Sequence, residues 1–287
     1  RIEYRDRSLW ERTNGQNDFL TFIAGKGTVN ANIELNFREK NFSMEKDPLY
    51  DLATELAKKT PVIENVPVTV SLKDDYILGI IGDREAAEAY TRDIIMQTAA
   101  LQSYDEVRIL IISSAEDSHK WEFMRWLPHT ESTNAEIRFI AADTEDMKLI
   151  SSELERQLAN EADSAYIIVS CDRSLAAKTS FISKILSSEK YHGFSIIVLY
   201  DEMKYLPKEC KKVISVSDNS AEIHNMDGTA SKIELYPHIT LKECASSAIS
   251  LANIRLAKSD KSYELPNMVT FMELMGAIKC EHLNCSQ

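Results

Sequence analysis

Apolar residues follow two different rhythms along this chain, and the change comes near residue 73. Beyond that point short apolar runs alternate with amphipathic stretches of ten or more residues. The runs are YILGII (76–81), VRILIIS (107–113), IRFIAA (137–142), AYIIVSC (165–171) and FSIIVLY (194–200). From 107 on they are continuous in Ile and Val rather than alternating, which is the pattern of strands buried on both faces of a parallel sheet. Between them the spacing predicts helices over about 84–102, 117–126, 144–160 and 174–188. The first of these places Ala87, Tyr90, Ile94, Thr98 and Leu101 on one stripe. Strand–helix alternation of this kind builds right-handed βαβ units and a doubly wound, mostly parallel α/β sheet.

The first 72 residues read as β-rich. DFLTFIAG (18–25) and NANIELNF (30–37) are strand candidates, and Gly25-Lys26-Gly27 between them reads as a hairpin turn. Asp47-Pro48 opens a helix over 47–59 with Leu49, Leu52 and Leu56 on one face. VPVTVSL (66–72) alternates like a strand. At the other end, 212–217, 221–226 and 231–236 are short strands. Asp227-Gly228 joins the last two, a strong hairpin signal. Helices over about 240–258 and 269–276 close the chain. The expected organisation is an N-terminal β appendage, 1–72, packed on an α/β core, 73–287, that ends in a hairpin and helices.

Composition narrows the chemistry. A formal net charge of −12 disfavours nucleic acid as a direct partner, because that affinity rests on Lys and Arg neutralising phosphates. No apolar run is long enough to span a bilayer. The chain begins at Arg1 rather than Met, as expected of a piece of a longer protein whose membrane anchor would lie elsewhere. The five cysteines, an odd and scattered set, read as reduced thiols. Cys280-Glu-His282-Leu-Asn-Cys285 lacks a second ligand pair nearby and reads as no zinc site.

The turn after the first of the buried runs is where an open α/β sheet places its ligand. A phosphate loop reads G-x-x-x-x-G-K-[ST], with backbone amides and Lys on phosphate and the hydroxyl on Mg²⁺. From Gly82 this chain reads G-D-R-E-A-A-E-A: the first Gly is kept, the second is Ala87, the Lys is Glu88 and the hydroxyl position is Ala89. A unit charge at roughly 4 Å and an effective dielectric of about 20 is worth about 4 kcal/mol, so Lys to Glu turns attraction into repulsion. Even about 3 kcal/mol after screening lowers affinity more than about a hundredfold. Asp83 and Glu85 add negative charge that suits a helix start instead. Farther along, Asp172 ends a buried strand and could hold a Mg²⁺ water. No Glu follows it, and a helix cap is the preferred reading. Asp201-Glu202 ends the next strand. No G-x-S-x-G is present, and the dispersed histidines assemble no catalytic set. Trp121 and Trp126, before Pro128, read as a hydrophobic cap on the local core or as an anchor for a neighbouring domain.

Several longer stretches carry a family resemblance: SLWERTNGQNDFLTFIAGKGTV (8–29), DPLYDLATELAKKTPVIENVPVTVSL (47–72), ILGIIGDREAAEAYTRDIIMQTAALQSYDEVRILI (77–111), WEFMRWLPH (121–129) and YELPNMVTFMELMG (263–276). Together they resemble the EccC/EssC membrane ATPases of type VII secretion systems, in the part between the transmembrane helices and the first full FtsK/SpoIIIE-type ATPase module. The resemblance implies an ATPase-like fold with incomplete nucleotide motifs, on the cytoplasmic face of the cell membrane. It also implies upstream forkhead-associated domains and two membrane helices. Expected partners are the adjoining ATPase modules of the same chain, other secretion-system membrane components, or further copies in a homo-oligomer. The function so implied is a non-hydrolysing structural or regulatory module with no cofactor, its degenerate site marked by Gly82, Asp83, Glu88, Ala89 and Asp172. The alternative is a divergent ATPase that binds ATP and Mg²⁺ weakly and is completed by a neighbouring subunit.

Overall fold

The computed structural model describes residues 2, 8–31, 33, 48–58, 61–132, 136–159, 164–254 and 256. The chain divides into a compact unit, Arg1–Ala252, and the remainder, Asn253–Gln287. The elements that position the site are strands β1 (Thr21–Asn30), β2 (Val62–Ser71), β3 (Ile77–Gly82), β4 (Val107–Ile112), β5 (Ile140–Ala141), β6 (Ala165–Ser170), β7 (Phe194–Leu199), β8 (Lys212–Val216), β9 (Ser220–Asn225) and β10 (Ala230–Glu234). The helices are α1 (Pro48–Lys58), α2 (Arg84–Leu101), α3 (Thr144–Ala159), α4 (Arg173–Ala176), α5 (Ser180–Leu186) and α6 (Leu241–Ala252).

Among the described residues these strands form a single sheet in the order β2-β1-β10-β9-β8-β3-β7-β6-β4-β5. The half from β8 to β5 is parallel throughout, and β3 lies between β8 and β7. β4, β6 and β7 are buried at every position, as their unbroken Ile and Val runs predict. On one face Leu110, Ile112, Ile168, Ile196 and Val198 pack against Met147, Ile150 and Leu154 of α3 and Phe181, Ile182 and Ile185 of α5. α2 packs on β1, β3, β7 and β8. The other half, from β8 to β2, is antiparallel. There β10 buries only Ile233 and is otherwise exposed.

Three local expectations are corrected. Gly25-Lys26-Gly27 is not a turn but the middle of β1, which is wedged between β2 and β10. A Cβ on Gly25 would stand 2.6 Å from the Glu234 carbonyl oxygen, and one on Gly27 would stand 2.9 Å from Val68 Cγ2. The glycines let strands approach, and the register of β1 shifts beside them. Second, Ser118–Trp126 is a 3-10 helix. Its three-residue repeat stacks Trp121, Met124 and Leu127, all buried, whereas Trp126 is 53% exposed. Third, the helix expected over 174–188 breaks into α4 and α5 at Thr179, which is extended and donates its hydroxyl to the Ala176 carbonyl. The candidates at 269–276 and Cys280–Cys285 lie outside the described residues, as does most of 30–37.

Candidate functional site

β3 runs to Gly82, and α2 begins at Arg84, so Asp83 alone separates strand from helix. Gly82 has φ +133°, and a Cβ there would lie 2.0 Å from the Val216 carbonyl oxygen of β8. The glycine is therefore required by the strand pairing itself, whatever binds beyond it. Asp83 is the N-cap of α2. Its Oδ1 accepts from the amides of Glu85 at 3.1 Å and Ala86 at 3.3 Å. Those are the amides that an anion at a helix start would use.

One turn later, Glu88 is 3% exposed and is held from two sides. Arg84 Nε lies 2.7 Å from its Oε1, and Lys120 Nζ lies 3.0 Å from the same oxygen. Arg84 also reaches Asp201 Oδ1 at 3.1 Å and Asp117 Oδ2 at 3.4 Å. Lys120 reaches Asp117 Oδ1 at 2.9 Å. Burial opposes the charge on Arg84, but its bonds to Glu88 and Asp201 outweigh it and raise its pKa. The Lys120 ammonium holds the Asp117 carboxyl below the usual range, and Asp117 in turn raises Lys120. Ala89, beside Glu88, is partly buried and has no polar atom to offer.

Asp172 sits across the sheet edge, after β6. It caps α4, accepting from the amides of Ser174 at 2.8 Å and Leu175 at 3.0 Å and from the Ser174 hydroxyl at 2.8 Å. Burial works against its charge, but these bonds prevail and hold its carboxyl low. A cleft of about 290 Å³ lies between these groups, lined by Arg84, Asp117, Cys171, Asp172, Asp201 and Tyr205 among others. Burial pushes the Cys171 thiol well up, so it is no ready nucleophile. Among the described residues no cluster of three metal-ligating side chains occurs.

The structure thus brings Gly82, Asp83 and Glu88 to one end of α2, with Asp172 facing them from the next loops of the same sheet edge. Sequence reading missed the ion partners. The spacing of Arg84 and Glu88, one helical turn apart, was a usable sign, as was that of Asp117 and Lys120. The convergence of Asp117, Lys120 and Asp201 on Arg84 and Glu88 depends on strand order, which no local pattern carries.

No family model matches the chain. It is 26% identical over 293 residues to the ESX secretion system protein EccC of Geobacillus thermodenitrificans, covering 97% of this chain and 20% of that protein. It is 23% identical over 300 residues to the type VII secretion system protein EssC of Staphylococcus aureus, covering 99% of this chain and 20% of that protein. The chain spans about a fifth of the length of these curated relatives. Among solved structures it matches the cytoplasmic domain of the type VII secretion ATPase EccC of Thermomonospora curvata with a TM-score of 0.54 at 11% identity, over 86% of this chain and 32% of that one. It matches EssC (ATPases 2 and 3) from Geobacillus thermodenitrificans with a TM-score of 0.53 at 10% identity, over 86% and 50%. The chain is similar to EccC/EssC secretion proteins over nearly its whole length, and its α/β fold matches that of the solved EccC and EssC structures.

Proposed function

We propose that this chain is a non-hydrolysing, ATPase-like module of a type VII secretion motor, with residues 1–72 as a β-rich extension and 73–287 as its degenerate ATPase-like core. It works at the cytoplasmic face of the cell membrane and couples the membrane-embedded parts of the motor to the ATPase modules that adjoin it in the same protein. The observation that carries this reading is the one-residue connection between β3 and α2. A phosphate loop needs several residues whose amides curl around the anion. Here the strand passes directly into the helix, the first free amides are taken by Asp83, and the lysine position holds a carboxylate already bound to two cations. A polyphosphate would also meet Asp117, Asp172 and Asp201 around the cleft. The net charge of −12 fits a protein partner better than nucleic acid.

Calorimetric titration with Mg-ATP tests the proposal. We expect no heat of binding up to millimolar nucleotide. We expect the same for Glu88→Lys/Ala89→Thr, because restoring two side chains does not restore a loop. Micromolar, Mg²⁺-dependent binding by the unmodified chain, abolished in Asp172→Ala, would replace this reading with that of a divergent ATPase completed by a neighbour.

A further inference from the structure

In a working nucleotide site the terminal phosphate and its metal hold loops from several strands in one arrangement, and release them when the phosphate leaves. This chain has, at the same edge of its sheet, a set of contacts that joins equivalent pieces with its own side chains. Arg84 and Glu88 stand on the first turn and a half of α2. Asp117 and Lys120 belong to the segment after β4, and Asp201 follows β7. Arg84 is the hub, with Glu88, Asp117 and Asp201 each within 3.4 Å of its guanidinium nitrogens. Lys120 closes the ring by bridging Glu88 Oε1 and Asp117 Oδ1. The Asp117 amide is in turn held by the Ser114 hydroxyl at 3.2 Å, and the Lys120 amide bonds the Asp117 carbonyl at 3.0 Å.

Most ion pairs at a protein surface contribute little. This set differs in its centre. The Glu88 side chain is 4% exposed, so its carboxylate has exchanged water for Arg84 and Lys120 and depends on them. The segment that Lys120 anchors goes on to bury Trp121 and Met124 and packs against α6. Contacts at the sheet edge are thereby joined to α6.

We infer that this ion-pair ring is an internal stand-in for a bound nucleotide: it keeps the start of α2, the Ser114–Lys120 segment and the end of β7 closed upon one another at all times, so that this edge of the domain does not follow nucleotide state. The inference rests on the reading above, that the site takes no ATP, and adds what fills it and what the filling does. The module is then a fixed wedge among its neighbours, and any movement at this edge has to come from a partner that competes for these charges.

Amide hydrogen exchange on the full chain tests the ring. Lys120→Met should speed exchange at the amides of Asp117 and Lys120 by about tenfold, and leave β4, β6 and β7 unchanged, as expected of local rather than global opening. Glu88→Gln should do the same, because it removes the other half of one bond. Lys120→Arg keeps the charge and should stay within about twofold of the unmodified protein. Mg-ATP should leave the unmodified pattern as it is. Unchanged exchange at Asp117 and Lys120 in Lys120→Met overturns the ring. If the variants fail to fold, raising salt from about 0.1 to about 1 M on the unmodified chain must loosen the same amides, and no response there overturns it equally. Protection by Mg-ATP would defeat the non-binding reading and the nucleotide independence together, while the ring itself stands or falls on Lys120→Met.

Discussion

At its N-terminal end α2 is closed by charge, with Asp83 on its free amides and Arg84, Glu88 and Lys120 locked beside them, whereas its C-terminal end is closed by backbone and aromatic rings from far away in sequence. There the Trp10 indole donates to the Ala99 carbonyl at 2.9 Å, the Trp10 amide to Ala100 at 3.1 Å and the Arg12 amide to Leu101 at 3.0 Å. Trp10 adopts φ +59° to do so, a left-handed conformation unusual for a bulky residue. Its ring meets the edges of Tyr104 and His129. Both ends answer the same requirement, that the first amides and last carbonyls of a helix find partners. The difference is in what can disturb them: salt and competing charge at one end, loss of packing or protonation of a buried imidazole at the other. The comparison also gives the LWER stretch a physical role, since it is the cap of the helix that leads away from the candidate site.

The largest effect is expected at the charged end, from Gly82→Ala. The added methyl group would meet the Val216 carbonyl oxygen at 2.0 Å while φ stays at +133°, so β8 must move or β3 must break. We expect a loss of about 4 kcal/mol or more in urea denaturation. Gly228→Ala is the control. It also has positive φ, +82°, but nothing lies within 4 Å of its Cβ position, so about 1 kcal/mol is expected. Equal losses in the two variants would mean that strand pairing does not demand Gly82.

The next effect belongs to the aromatic end and is read by pH. His129 is fully buried. Its Nε2 donates to the Gln102 carbonyl at 2.9 Å, and its Nδ1 has no hydrogen-bond partner among the described residues. Burial holds the imidazole neutral and lowers its pKa to about 4 from an ordinary 6.5, with Arg108 adding repulsion. An unfolded chain takes up this proton below pH 6.5 and the folded chain only near 4, so stability is complete above 6.5 and falls as pH drops between those values. The loss amounts to about 3 kcal/mol. Trp10→Ala opens the ring cluster to water, lets His129 titrate nearer its ordinary value, and should flatten this dependence as well as lower stability by about 2 kcal/mol. A pH profile equally steep in Trp10→Ala would show that Trp10 does not shield the imidazole.

How much of this was legible in the sequence follows the same divide. The buried strands β4, β6 and β7 were readable from their unbroken apolar runs, helix α2 from its own period, and the cap at Asp83 because it lies next to the helix it closes. The Gly25-Lys26-Gly27 stretch misled because two glycines signal a turn when only neighbours in sequence are considered, while here they answer neighbours in space, Glu234 and Val68. Ser118–Trp126 differs from an α-helix because burial of Trp121, Met124 and Leu127 selects a three-residue repeat. Glu88 and Ala89, at the positions where a phosphate loop would carry Lys and Ser or Thr, were visible as residues of the chain. The partners that hold this buried cluster were not, because Lys120 reaches Glu88, and Asp201 reaches Arg84, only after β4, β6 and β7 have been ordered beside β3.

The smallest expected effect separates capping from ligand binding at the two aspartates of the site. Asp83 and Asp172 each hold two amides at the start of a helix through one carboxylate oxygen. Replacing either by Ala should cost about 1 kcal/mol in thermal unfolding, the usual worth of an N-cap. Replacing either by Asn keeps an oxygen in the same place and loses only the charge, so a few tenths of a kcal/mol, roughly the exposed helix-dipole term, is expected. A residue kept for a metal or for positioning phosphate would behave in the opposite way, with Asn nearly as damaging as Ala. The ratio of the Asn to the Ala loss therefore reports which role each aspartate has. It should be small at both positions, because Oδ1 of each is already engaged with the helix that follows.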